Sequence, residues 1–481
     1  MNFWTFPSLR GVTGGSWVRK PESDHGADVI TGLATDTRGL KRGQVFLALR
    51  GARFDGHDFL NAAVAAGAPL LIVDNERAVS PALLKDARGP AVLRVRDTLR
   101  ALGQLASAWR AALETVKVVA VCGSNGKTTT TRLVHAILSQ RLRGSASPRS
   151  FNNDVGVPLT VLAARAGDQY LACEVGTNSP GEVAALARIV QPDIAVITSV
   201  GRAHMENFDS LRAVAEEDAA IFVDLRPNGT AVVPAGEAAL ADFLKPVPHV
   251  VSFGASDEAD LRLTSVEHAT LADGRAGLRL VLNGRGVFEV PLIGRHNALN
   301  AAAAIGVARR MGLDDEAIRA GLLSVTPADL RLQRRTVRGV DLFIDCYNAN
   351  PESMLAAFQT FSELAAPAPR RVLVLGDMLE MGESAARWHE EIADAAARVG
   401  EVASVVTVGE HALRIAERVT RVHPRCRPMI LSQLDDNHAQ RIAERLQPGD
   451  AVLLKASRGV RLERIVEALE NLPSVAAVNA A

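Results

Sequence analysis

The residues Gly123-Ser-Asn-Gly-Lys-Thr128 stand between an apolar run, Val118-Val-Ala-Val-Cys122, and a helical pattern that opens with further threonines. Glycines at 123 and 126 let backbone N–H groups turn inward around an anion, Lys127 offers a cation to terminal phosphates, and the Thr128 hydroxyl is placed for Mg²⁺. This is the chemistry of a phosphate-binding loop, and nucleotide binding is the function it indicates. The glycine that the commonest loop carries five residues before Gly126 is Val121 here, so the segment is a shorter G-x-x-G-K-T form.

Other residues could serve the same nucleotide. Glu174 closes the apolar run Tyr170-Leu-Ala-Cys-Glu174. At the carboxyl end of a strand in an open parallel sheet it would face the ligand crevice, where one carboxylate plus phosphate oxygens can hold Mg²⁺. A solvated loop acid or helix cap is the plainer alternative. His204 follows a second such run inside Gly201-Arg-Ala-His-Met-Glu206, and spacing alone does not separate a catalytic histidine from a structural one. His296, Asn297 and Asn300 fall on the first turns of an apolar helix, where amides could read a base edge or cap the helix. Asp345-Cys-Tyr-Asn-Ala-Asn-Pro351 ends a buried strand with an acid, one of the 2 tyrosines and two asparagines, and Lys455-Ala-Ser-Arg458 ends another.

These groups need strands and helices to bring them together. A chain of 481 residues suggests about three domains of roughly 150 residues each. Strands near 44–49 and 69–73 flank an alanine-rich helix near 58–66 in a small α/β unit, placed at 1–112. From 113 to 326, strands at 118–122, 171–175, 194–199 and 231–233 alternate with helices near 181–189, 210–224 and 297–311, a pattern of parallel sheets with helices on both faces. Residues 250–293 read as short strands and turns, an antiparallel insert. From 327 to 481, strands at 342–345, 371–375, 404–408 and 451–455 each precede a helix, as in a Rossmann-like domain lacking G-x-G-x-x-G. Lys and Arg number 54 against 54 Asp and Glu, which argues against nucleic-acid or membrane coating. The 4 cysteines have no metal spacing and suit a reduced, cytoplasmic protein, and no leader or membrane span is expected.

Together these motifs resemble the Mur ligase family. The resemblance is carried by Asp36-Thr-Arg38, Asp55-Gly-His57, the phosphate loop, Phe151-Asn-Asn-Asp-Val-Gly-Val-Pro158, Tyr347-Asn-Ala-Asn-Pro351, Leu375-Gly-Asp-Met-Leu-Glu-Met-Gly382 and Lys455-Ala-Ser-Arg458. The second asparagine-rich motif and Asn-Asn-x-x-Gly-Val-Pro point to the branch that adds D-Ala-D-Ala, and the Asp-Asn-Pro-Arg motif of the branch adding the third residue is missing. The resemblance implies a monomeric ATP- and Mg²⁺-dependent amide ligase acting on UDP-MurNAc-tripeptide and D-Ala-D-Ala through an acyl phosphate. It implies catalytic roles for Lys127 and His204, which Asp218 is expected to join in place of a family lysine, and nucleotide contacts by Gly123, Asn125, Gly126, Lys127, Thr128, Thr129, Asn297, Asn300, Arg331 and Asp345. Thr37, Arg38, Asn153 and Thr177 would bind substrate, with Thr37 and Arg38 at the UDP end, and Thr128, Glu174 and His204 would hold Mg²⁺.

One segment departs from the family. Its pattern Val-Ala-x-x-Lys-x-Glu-Ile carries a lysine, usually carbamylated, that supports a second Mg²⁺, whereas Val214-Ala-Glu-Glu-Asp-Ala-Ala-Ile221 has Asp218 there. At 100° per residue Asp218 shares a face with Leu211, Val214, Ala215 and Phe222, so it is expected to be buried with a partner. A metal-bound water is the expected partner, an ion pair with Arg202 or Arg212 the alternative. Competing functions are a Mur-type ligase for another amino acid or dipeptide, a folylpolyglutamate-type enzyme, against which the N-terminal motifs stand, and a nucleotide-binding regulator without turnover.

Overall fold

Runs rich in Val, Ile and Leu become strands buried along their length, as in Lys117–Cys122, Tyr170–Glu174 and Ile194–Ile197, because helices cover both faces of the sheet they enter. The computed structural model describes residues 3–21, 30–51, 54–86 and 88–473. Three sheets organise them. The first has 5 strands, with Ala91–Arg94, Leu70–Val73, Gln44–Leu47 and Gly32–Ala34 parallel and Ser16–Arg19 antiparallel at one edge. The last has 6, in which only the Gln333–Val337 edge strand runs against its neighbour.

The central sheet has 9 strands, and its order places Lys117–Cys122 between Ile194–Ile197 and Tyr170–Glu174. Three candidate site segments therefore leave adjacent parallel strands at the same, carboxyl end. Residues 250–293 are not a separate antiparallel insert. His249–Gly254 pairs in parallel with Thr230–Pro234 and continues the main sheet; antiparallel pairing begins only where Leu261–Thr270 meets Ala276–Leu282. The turn signals at Asp273-Gly and Asn283-Gly were real hairpins, but they say nothing about how the strand before them joins the sheet.

The helix Thr98–Ala112 joins the first sheet to the second. Its buried face shares one core with Phe6, Leu47 and Leu93 on one side and Val118, Ala120 and Leu186 on the other. Arg110 locks that packing. Fully buried, it donates to the Val190 carbonyl at 2.8 Å and to Asp193 Oδ2 at 2.8 Å, and Asp193 also accepts the Val118 N–H, so the charge is paired as a buried charge must be. No described helix is long and apolar enough to cross a membrane.

Candidate active site

A cavity of about 360 Å³ lies where the carboxyl ends of the central strands face those of the last sheet. One wall is the phosphate loop. Gly123 and Gly126 both have positive φ, 118° and 89°. A Cβ on Gly123 would stand 2.4 Å from Thr198 Oγ1, and one on Gly126 would stand 2.2 Å from Asn300 Oδ1, so close approach as well as backbone shape demands glycine. Gly126 caps the helix Lys127–Leu138 without any side-chain cap, which leaves the first-turn N–H groups turned toward the cavity mouth. The loop is laced to the segment after Ile194–Ile197: Thr198 Oγ1 donates to the Asn125 carbonyl at 2.6 Å, Asn125 N–H to Ser199 Oγ at 3.0 Å, and Gly201 N–H to Ser124 Oγ at 2.8 Å. Lys127 rests on its own loop, its Nζ donating to the Gly123 carbonyl at 2.5 Å.

Glu174 enters from the neighbouring strand and is 1% exposed. Oε1 accepts from Asn152 Nδ2 at 2.9 Å, whereas Oε2 is buried with no protein partner. A charged oxygen without a donor suits a cation, and one protein carboxylate is a usual complement for Mg²⁺ when phosphates complete its shell. Among the described residues no group of three or more His, Cys, Asp or Glu forms a metal cage. His204, at φ 55°, brings Nδ1 to 2.7 Å from Glu380 Oε2 of the last sheet's segment, so it bridges the two walls.

From that opposite wall Asp345 Oδ1 accepts the Leu332 N–H at 3.2 Å and Oδ2 pairs with buried Lys455 at 2.9 Å. Lys455 is thus already paired with Asp345 and donates also to the Asn348 carbonyl at 2.6 Å. Burial pushes His296 down to about 4, with Lys455 adding to the shift and Asp345 opposing it, so a neutral imidazole lines the cavity at neutral pH. Arg331 stacks its guanidinium 4.1 Å over the Tyr347 ring and reaches Ser150 Oγ at 3.5 Å.

Several expected positions fall elsewhere. Asn297 and Asn300 line the cavity, but Asn300 donates to Asn297 Oδ1 at 2.9 Å, Asn297 to the Ile293 carbonyl at 2.7 Å, and Thr130 to Asn300 Oδ1 at 3.3 Å. Their amides brace the loop as well as facing its ligand. Asn125 and Thr129 line the cavity, while Thr128 lies on a second cavity of about 500 Å³, with its hydroxyl 3.2 Å from Ser150 Oγ. Asn153 and Thr177 are cavity residues, the first also accepting the Gly156 N–H at 2.9 Å. Thr37 and Arg38 are outside both cavities; Arg38 is an exposed side chain paired with Asp36 at 2.6 Å. Asp218 lines neither cavity and pairs with neither suggested arginine, because Arg202 is held by Glu352 and Glu391 and Arg212 by Asp242. Sequence reading assigned no role to Asn152, Glu217 or Glu380. Asn152 and Glu380 each carried a signal, as members of recognisable motifs, and Glu217 lies in the segment that departs from the family.

Comparison with known proteins places these features in context. The Mur ligase middle domain matches residues 121–308, the Mur ligase glutamate ligase domain 330–458, and the Mur ligase family catalytic domain 29–110. The UDP-N-acetylmuramoyl-tripeptide-D-alanyl-D-alanine ligase of Bacillus subtilis is 35% identical over 92% of this chain and 94% of its own length. That of Escherichia coli is 35% identical over 78% of this chain and 81% of its own. Among solved structures, MurF from Acinetobacter baumannii has a TM-score of 0.82 at 30% identity, covering 98% of this chain and 99% of that one. MurF from Thermotoga maritima in complex with ADP has a TM-score of 0.73 at 28% identity, over 92% and 98% of the two chains.

Proposed function

The chain belongs to the Mur ligase family, and we propose from this premise that it is the ligase that joins D-alanyl-D-alanine to UDP-MurNAc-tripeptide with ATP. The observation that carries the reading is the shared cavity: a phosphate loop on the central sheet faces Asp345, Lys455 and Tyr347 on the last one. On this reading the stretches 1–112, 113–326 and 327–481 are a UDP-substrate-binding domain, an ATP-binding phosphate-loop domain and a Rossmann-like ligase domain.

In this reading the terminal carboxylate of the tripeptide attacks the γ-phosphorus of ATP and ADP leaves. The dipeptide amine then attacks the acyl carbon, loses a proton, and phosphate departs. Loop N–H groups and Lys127 meet the charge spread over the transferring phosphoryl oxygens, the kind of stabilisation on which phosphoryl transfer chiefly depends. Glu174 through its unpartnered Oε2, with Thr128 and His204 nearby in sequence motifs, would hold Mg²⁺, which when bound offsets charge on those oxygens. Arg331 and Asp345 supply phosphate and ribose contacts, with Asn297 and Asn300 toward the base. Neutral His296 can donate or accept at the same surface without adding charge. Contacts from two sheets keep water from the acyl phosphate only when they are closed upon each other.

The test is phosphate release with UDP-MurNAc-tripeptide and a panel of dipeptides. Release that requires both the tripeptide and D-Ala-D-Ala is expected. Release with glutamate on a folate acceptor, with another dipeptide in preference, or with neither substrate present would replace this reading.

A further inference from the structure

Asp218 stands where the family pattern has a lysine, and it is 3% exposed with one carboxylate oxygen, Oδ2, that has no hydrogen-bond partner among the described residues. A buried carboxylate is unfavourable unless something close compensates it. Its surroundings identify what does. The Cys122 thiol donates to the backbone carbonyl of Asp218 at 3.5 Å, which sets this last turn of the helix Leu211–Ala219 against the start of the phosphate loop. Among the groups acting on the Asp218 carboxyl is the Gly123 N–H, which favours its charged form. The carbonyl of that same Gly123 receives the Lys127 ammonium at 2.5 Å. One residue therefore carries the carboxylate on its N–H side and the lysine on its C=O side. Gly123 cannot yield sideways, because Thr198 closes on it from the next strand.

The adjacent acid does a different job. Glu217 points about 100° away around the helix, and its carboxylate accepts from Thr177 Oγ1 at 3.1 Å, Gly181 N–H at 2.6 Å and Val183 N–H at 2.8 Å. Glu217 is thus consumed by the loop after Glu174, and the opposite charge left for Asp218 is Lys127. Burial raises the Asp218 carboxyl to about 7, with Lys127 pulling the other way and Glu217 adding to the rise, so Lys127 offsets the buried charge only in part, as expected of a cation one peptide away and not in direct contact.

We propose, on the ligase reading above, that Asp218 is a positioning residue that fixes the Gly123 peptide and through it the ammonium of Lys127, and that it does not serve a metal ion. A carboxylate fixed by the chain needs no carbamate to form, so turnover is independent of bicarbonate.

The experiment is a double-mutant cycle in the full chain, pairing Asp218→Ala with Lys127→Met. It reads ADP affinity by calorimetry at saturating Mg²⁺, then Mg²⁺ titration and turnover. Asp218→Ala is expected to weaken ADP binding several-fold when Lys127 is present and to have no further effect when it is methionine, because residues acting as one unit are not additive. Turnover should fall on the order of tenfold, as for a slightly misplaced catalytic group, with the Mg²⁺ half-saturation unchanged. A raised Mg²⁺ half-saturation in Asp218→Ala, or an equal loss in both backgrounds, overturns the proposal. Should the alanine variant fail to fold, Asp218→Asn retains the shape and an acceptor for Gly123, and its effect on ADP affinity must likewise vanish without Lys127. ADP binding is read without peptide substrates, so failure of the ligase reading would appear only in turnover and leave this cycle decisive.

Discussion

The Lys127 ammonium sits on loop carbonyls at the cavity. Lys127→Ala should leave the chain folded while removing a positioned cation, at a cost of about 3 kcal/mol in the barrier and a rate drop of at least ~100-fold. Steady-state turnover beside a thermal melt checks both halves, and undiminished turnover would withdraw the loop assignment. Asp218 makes the opposite kind of prediction, about stability. Its carboxyl is raised by burial from 3.8 to about 7 in the fold, so the native state holds a proton that the unfolded chain has released. Its stabilising contribution is complete below about pH 4 and is lost as pH rises through about 7. Cys122, Lys127 and Glu217 face the same carboxyl. Denaturation midpoints at pH 5 and pH 8 should fall further in the wild type than in Asp218→Asn, and parallel falls would contradict the buried, raised carboxyl.

At the scale of elements, the helix Leu211–Ala219 works as a clamp between two loops. Ser210 caps it, its Oγ accepting the Ala213 N–H at 3.1 Å, and its far end delivers Glu217 to the loop after Glu174 and Asp218 to the start of the phosphate loop. Glu217→Ala leaves Thr177 and the Gly181 and Val183 amides without their acceptor, at about 1–3 kcal/mol for each buried group left unsatisfied. The loop 176–183 should loosen, shown by faster amide exchange there, and KM for the acceptor peptide should rise more than KM for ATP. Equal changes in both would mean that the helix supports the whole site and not this loop.

At the scale of the whole molecule, contacts across the cavity join the central sheet to the last one, His204 to Glu380 among them. Arg202 binds Glu352 at 3.0 Å and Glu391 at 2.8 Å and lies 4.5 Å over the Trp388 ring, while Asn350 donates to Asn125 Oδ1 at 2.9 Å. Half-exposed ion pairs and one cation–π contact together amount to about 1–2 kcal/mol, enough to shift a closed population roughly tenfold. Arg202→Ala should enlarge the radius of gyration in solution scattering and lower kcat several-fold; an unchanged scattering curve would deny Arg202 that role. Arg38 lies in the first unit, exposed and paired with Asp36. Arg38→Ala should raise KM for the UDP-linked acceptor and leave that for ATP unaltered, whereas a purely structural arginine would lower the melting temperature and affect both.

The local chemistry was legible in the chain itself. The glycines of the phosphate loop, the apolar runs before Glu174 and His204, and the strand-then-helix rhythm of 327–481 depend on neighbours in sequence, and each reappears in the fold. The burial of Asp218 could be read from helical periodicity in the same way. Its partner could not. Which charge faces a buried acid depends on elements far apart in sequence meeting in space, and here a one-residue step along the helix sends Glu217 to the loop after Glu174 and Asp218 to Gly123. Tertiary packing likewise made residues 249–254 a parallel strand of the central sheet, paired Lys455 with Asp345, and brought Glu380 to His204. A side chain's type and local spacing state what chemistry it can do, but pairing energies fall off over a few ångströms, so only the assembled chain decides with whom.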